Sequence, residues 1–125
     1  MAKEIILKKD TDVNKMTIAP GVRVGNLLFI SGSAGAKGGK LAGHDIYSQA
    51  RQSLENLGEV LEAAGSSWNK VVKVTCFLTY PERDGAGWNK AWKEFFPKDP
   101  PARATVGEGI AMDGALIEVD LVAVI

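Results

Sequence analysis

The chain has 125 residues, 46% hydrophobic and 24% charged, which is the make-up of one globular domain over residues 1–125. Its 15 basic and 15 acidic side chains cancel, so a general electrostatic grip on nucleic acid is not expected. No apolar stretch is long enough to span a bilayer, and Met1-Ala2-Lys3-Glu4 lacks a signal-peptide layout, so the expectation is a cytoplasmic protein with no membrane association.

In chain order, residues 3–8 read as a short strand. Residues 22–31 carry Val22, Val24, Leu27, Leu28, Phe29 and Ile30, broken at Gly25-Asn26, a hairpin or bulge signal. Ser31-Gly32 is expected to end that strand, and the glycine-rich residues 32–43 to form a loop. Asp45 can cap a helix from Ile46, where Ile46, Ala50, Leu54, Leu57, Leu61 and Ala64 recur at spacings of four and three up to Gly65. Lys70 to Tyr80 alternates as a strand. Val72, Val74, Cys76 and Leu78 are expected on one face, with Val71, Lys73, Thr75, Phe77 and Thr79 on the other. A second helix is expected from about Ala86 to Phe96, with Trp88, Trp92 and Phe95/Phe96 as its apolar stripe and Pro97 as its stop. Pro100-Pro101 leads into a strand carrying Arg103, and Leu116 to Ile125 is the last strand. The order β-β-β-α-β-α-β-β predicts an α+β sandwich, with two helices on one face of a sheet of about six strands. The last strand is apolar on both sides. Two helices cover only one face, so the other predicts a homo-oligomer.

One cysteine, Cys76, excludes an internal disulfide and a cysteine-based metal site. One histidine, His44, excludes a His-rich site, so no metal or cofactor is expected. The loop over residues 32–40 lacks phosphate-loop spacing: Ala34 stands where a glycine is needed and Leu41 where Ser or Thr is needed. Cys76 reads as a buried hydrophobe, His44 as exposed, and Trp88 and Trp92 as core. Asn89 points elsewhere on the same helix, toward a pocket or water. Arg103, between Ala102 and Ala104, keeps its charge and can grip a carboxylate bidentately; its bland reading is a structural surface arginine. Glu118 interrupts a core strand and must be paired, protonated or used, unless it faces solvent together with Asp120. An anion clamp next to a proton-transfer group is the minimum equipment for chemistry on a small carboxylic acid.

Gly25-Asn26-Leu27-Leu28-Phe29-Ile30-Ser31-Gly32, Gln49-Ala50-Arg51-Gln52-Ser53-Leu54-Glu55-Asn56-Leu57, Glu62-Ala63-Ala64-Gly65, Trp88-Asn89 and Pro101-Ala102-Arg103, with Glu118 fifteen residues later, resemble the Rid family of imine/enamine deaminases. The resemblance covers roughly residues 18–125. It implies a chorismate-mutase-like (ferredoxin-like) α+β fold, a homotrimer, and sites in clefts between subunits. It further implies that Arg103 holds the carboxylate of a small substrate and Glu118 activates water. Ser31, Gly32, Asn89 and Thr105 would line the site. Two positions depart from the family pattern: Ile18 stands where many members have a pocket tyrosine, and Thr105 where many have cysteine. The expected function is hydrolytic deamination of small enamine or imine carboxylates. The alternatives are a pathway-specific deaminase of aminomuconate or aminoacrylate type and a trimer that binds carboxylates or regulates without turnover.

Overall fold

The computed structural model describes residues 2–125. In chain order the elements are β1 (Lys3–Ile6), β2 (Gly21–Val24), β3 (Leu27–Ala34), β4 (Ala36–Lys37), β5 (Lys40–Leu41), α1 (Ile46–Ala63), β6 (Val71–Leu78), α2 (Pro81–Phe95), β7 (Ala102–Gly107) and β8 (Ile117–Val124). Six strands form one mixed sheet in the order β1-β2-β3-β8-β6-β7, and β4 and β5 make a separate hairpin. All pairings in the large sheet are antiparallel except β6 with β7, which run parallel and are joined through α2. Both helices lie on one face. Leu54, Leu57 and Leu61 of α1 and Trp88 and Trp92 of α2 share one buried core with Leu28, Val74, Cys76, Val119 and Leu121 of the sheet.

Local chemistry explains the frame. The Asp45 carboxylate accepts the Ser48 backbone N–H at 2.9 Å and caps α1. That amide also holds the Asp45 carboxyl below its usual range. At the far end, the Gly65 N–H donates to Glu62 O at 3.0 Å and the Ser66 N–H to Leu61 O at 2.8 Å, with Gly65 at φ 76°. This is a Schellman stop, which needs a residue free to take positive φ. Gly25-Asn26 is the two-residue loop between Val24 and Leu27, as expected.

Three segments depart from the sequence reading. Residues 32–43 are not a plain loop. β3 continues to Ala34 through an irregularity between Ile30 and Ser33, and β4 and β5 then turn tightly at Gly38-Gly39, with φ 62° and 77°. Two consecutive positive-φ residues are what a type I′ hairpin turn requires. α2 begins at Pro81, five residues earlier than expected, with proline in its first turn and Glu82 and Asp84 facing the positive end of the helix dipole. In β6 the register shifts between Val71 and Lys73, so Val71 is buried and Val72 is 45% exposed. The bulge moves Val72 off the core face and puts Val71 on it. The other residues of that strand keep the expected alternation, with Val74, Cys76 and Leu78 buried.

Candidate functional site

Arg103 lies on β7, the edge strand, in parallel register with Val74 of β6. Its side chain is on the helix-covered side. Its Cζ sits 4.8 Å from the Trp92 ring centroid and 5.6 Å from that of Trp88, both on α2. Among the described residues no carboxylate lies within salt-bridge distance of it. Two residues further along the same strand, Thr105 Oγ1 is 3.2 Å from Cys76 Sγ, which fixes Thr105 on that side as well. Cys76 is fully buried, as expected, and its thiol also donates to Ala104 O at 3.4 Å. Asn89 is exposed on α2, next in sequence to Trp88. One edge of the sheet therefore carries a cation, a hydroxyl and two indole rings.

Glu118 occupies the opposite face. Its neighbours Ile117 and Val119 are buried against the helices, so strand alternation turns Glu118 away from them. It lies on the central strand β8, in register with Ala34 of β3 and Phe77 of β6. Its carboxylate packs on Gly32: a β-carbon there would sit 2.9 Å from Oε2. Only glycine lets the carboxylate approach the backbone this closely. Ser31 stands beside it, its Oγ donating to Ala19 O at 2.6 Å and its N–H to Pro20 O at 3.0 Å. Ser31 and Gly32 line a cavity of about 280 Å³ together with Ile18, Ala19, Pro20 and Leu57. Asp120 shares the Glu118 face. Burial pushes its carboxyl up, and Lys73 partly offsets this.

The two halves do not meet within one chain. The sequence reading placed the anion clamp next to the proton-transfer group, whereas the structure places Arg103 and Glu118 on opposite faces of the same sheet. Gly32 goes with Glu118, Ser31 next to it is tied to Ala19 and Pro20, and Thr105 goes with Arg103.

Two features that support these residues were missed. The first is a buried polar row on α1. Gln49 Nε2 donates to Gly43 O at 2.9 Å and Gly114 O at 3.2 Å, and its Oε1 accepts from Leu116 N at 2.7 Å. Ser53 Oγ donates to Ser33 O at 2.7 Å, and Asn56 Nδ2 to Ala36 O at 2.8 Å and Ser33 Oγ at 3.1 Å. This row pins the irregular end of β3, the segment that carries Gly32, and the entry to β8, which carries Glu118. Polar residues at i, i+4 and i+7 beside an apolar stripe were the available signal. The second is the seat of Arg103 on the two indoles, which sequence spacing does not reveal.

The sequence profile of the family described as endoribonuclease L-PSP matches residues 16–125. The chain belongs to this family, the Rid family. The mitochondrial protein mmf2 of Schizosaccharomyces pombe is 43% identical over 105 residues, 82% of each chain. A Mus musculus protein named 2-iminobutanoate/2-iminopropanoate deaminase is 33% identical, covering 95% of this chain and 93% of its own. The solved Rid-family protein YyfA from Yersinia pestis superposes with a TM-score of 0.89 at 30% identity, covering 99% of this chain and 100% of that one. The expected α+β architecture, two helices on one face of a six-stranded sheet, is thus the Rid fold. No helix among the described residues is long and apolar enough to cross a membrane.

Proposed function

We propose that this Rid-family chain hydrolyses small imine or enamine carboxylates to 2-oxo acids and ammonia, at sites completed between two copies of the chain. The observation that carries the reading is the separation of the two charges. Arg103 and Glu118 stand on opposite faces, and Arg103 has no carboxylate partner among the described residues. A site that uses both therefore draws on Arg103 of one copy and Glu118 of another. The sheet face opposite the helices supports the same reading. Leu27, Phe29 and Val106 are each at least 39% exposed there, and burying them requires a partner surface. A homotrimer of the kind the family resemblance implies supplies that surface.

In this reading Arg103 binds the substrate carboxylate with two N–H donors, which fixes the imine carbon in the cleft. Water adds to the C=N carbon. Glu118 takes a proton from that water and passes it to nitrogen, giving the carbinolamine; it then moves the hydroxyl proton to nitrogen as the C=O bond forms and the C–N bond breaks, releasing ammonia. Ser31 and Gly32 shape the wall beside Glu118, and Thr105 and Asn89 complete the wall beside Arg103. The name of the mouse relative supports this substrate class. Because one Lactococcus lactis relative, 34% identical, is named as a regulator, the second reading is binding of the same carboxylates without turnover.

The test is ammonia and 2-oxo acid release from imino acids generated in situ by an amino-acid oxidase, over several side chains, with Arg103→Ala as control. Acceleration lost in the variant supports the deaminase. Turnover that survives Arg103→Ala contradicts it. Saturable, Arg103-dependent carboxylate binding with no ammonia release favours the second reading.

A further inference from the structure

Arg103 is seated on aromatic faces. The indoles beneath it are buried, Trp88 1% and Trp92 8% exposed, and they pack edge to face with centroids 5.5 Å apart. Trp92 rests in turn on Phe96 at 4.4 Å. The platform is therefore fixed by the core, not by surface side chains. It also carries an anomaly: the buried Trp88 Nε1–H has no hydrogen-bond partner among the described residues. Leucine or phenylalanine would supply apolar volume there without stranding a donor. What indole adds is the aromatic face that attracts a cation most strongly. A guanidinium held by ring faces rather than by a carboxylate keeps its N–H donors uncommitted. A salt bridge would consume those donors.

We propose that Trp88 and Trp92 are positioning residues that hold the Arg103 guanidinium in place with its hydrogen-bonding edge free for a carboxylate. This rests on Arg103 being the carboxylate ligand of the proposed deaminase. The rings act through Arg103 on binding and do not touch the reacting imine. Their loss therefore raises KM and leaves kcat close to wild type.

The experiment is steady-state kinetics of the full chain on an imino acid generated in situ, comparing Trp92→Leu, Trp92→Phe and Trp88→Phe, each also in an Arg103→Lys background. Trp92→Leu is expected to raise KM about tenfold with kcat within about twofold, and Trp92→Phe to recover most of the loss. In the Arg103→Lys background, where no guanidinium plane is left to seat, Trp92→Leu is expected to add less than about threefold to KM. Trp88→Phe also covers the case in which Trp92→Leu does not fold. It removes the stranded donor and keeps a weaker ring face, so the fold is retained while KM rises by less than in Trp92→Leu. An unchanged KM in both Trp92→Leu and Trp88→Phe overturns the proposal. So does a Trp92→Leu penalty on KM that is equally large in the wild-type and Arg103→Lys backgrounds. Loss of activity in Arg103→Ala alongside unchanged tryptophan variants removes only the aromatic seat. Full activity in Arg103→Ala removes the deaminase reading itself.

Discussion

Glu118 at the centre of the sheet and Arg103 at its edge are held by opposite means. Around Glu118 the positioning is polar and crowded: Gln49, Ser53 and Asn56 are buried and hydrogen-bonded to the segments that carry Gly32 and lead into β8, and Gly32 leaves no room for a methyl group. Around Arg103 it is aromatic and open: the side chain is exposed, and ring faces hold its position without taking up its donors. Buried hydrogen bonds are directional and expensive to break, so the first region is tied to the stability of the whole fold. Contact between a cation and ring faces contributes only about 0.5–2 kcal/mol, so the second region is tuned for binding with little effect on folding.

Substitutions in the two regions differ in their expected cost to stability. Gln49→Leu, which strands Gly43 O, Gly114 O and the Leu116 N–H, is expected to cost about 3 kcal/mol in urea unfolding. A loss below about 1 kcal/mol would show that those loops are held by something else. Gly32→Ala crowds the Glu118 side chain from Cγ to Oε2, which can swing aside, so its stability cost is expected to be about 1 kcal/mol. Its turnover should fall at least about tenfold, because the carboxylate must shift. Normal activity in that variant would detach Glu118 from the chemistry. Arg103→Ala should change unfolding by no more than about 1 kcal/mol, the contribution of a cation on ring faces at an exposed site, while abolishing activity. Asp120→Asn is the smallest change, within about 0.5 kcal/mol. Its sign follows from the raised carboxyl: the folded protein binds the proton more tightly than the unfolded chain, so the ionised form costs stability at neutral pH. Asparagine should therefore stabilise slightly at pH 7, and the gain should disappear as pH falls through the carboxylate range. Thermal melts at both pH values check this.

The sequence made legible those elements whose determinants are local. The ends of α1 were readable because Asp45 and Gly65 act on backbone groups within a few residues of themselves. The start of α2 was missed because Glu82-Arg83-Asp84-Gly85 carries no apolar periodicity, although Pro81 in a first helical turn was a usable signal. The hairpin at Gly38-Gly39 was missed because its strands are two residues each, too short to alternate. The bulge at Val72 was invisible because Val71 and Val72 are chemically identical, so nothing in the alternation marks the shift. For the site, residue types were readable but faces were not. Small Ala102 and Ala104 flank Arg103 and give its strand no hydrophobic face to read, so the side on which the guanidinium lies emerges only from pairing with Val74.

Subunit complementation asks whether each site takes Arg103 from one copy and Glu118 from another. Arg103→Ala and Glu118→Gln chains, each inactive alone, are unfolded together in equal amounts and allowed to reassemble. Random mixing of copies that share sites with a neighbour is expected to restore about one quarter of wild-type deaminase activity, since that is the share of interfaces that regain both intact side chains. No recovery from a mixture that has demonstrably exchanged subunits would contradict the account and place both residues' action within a single chain.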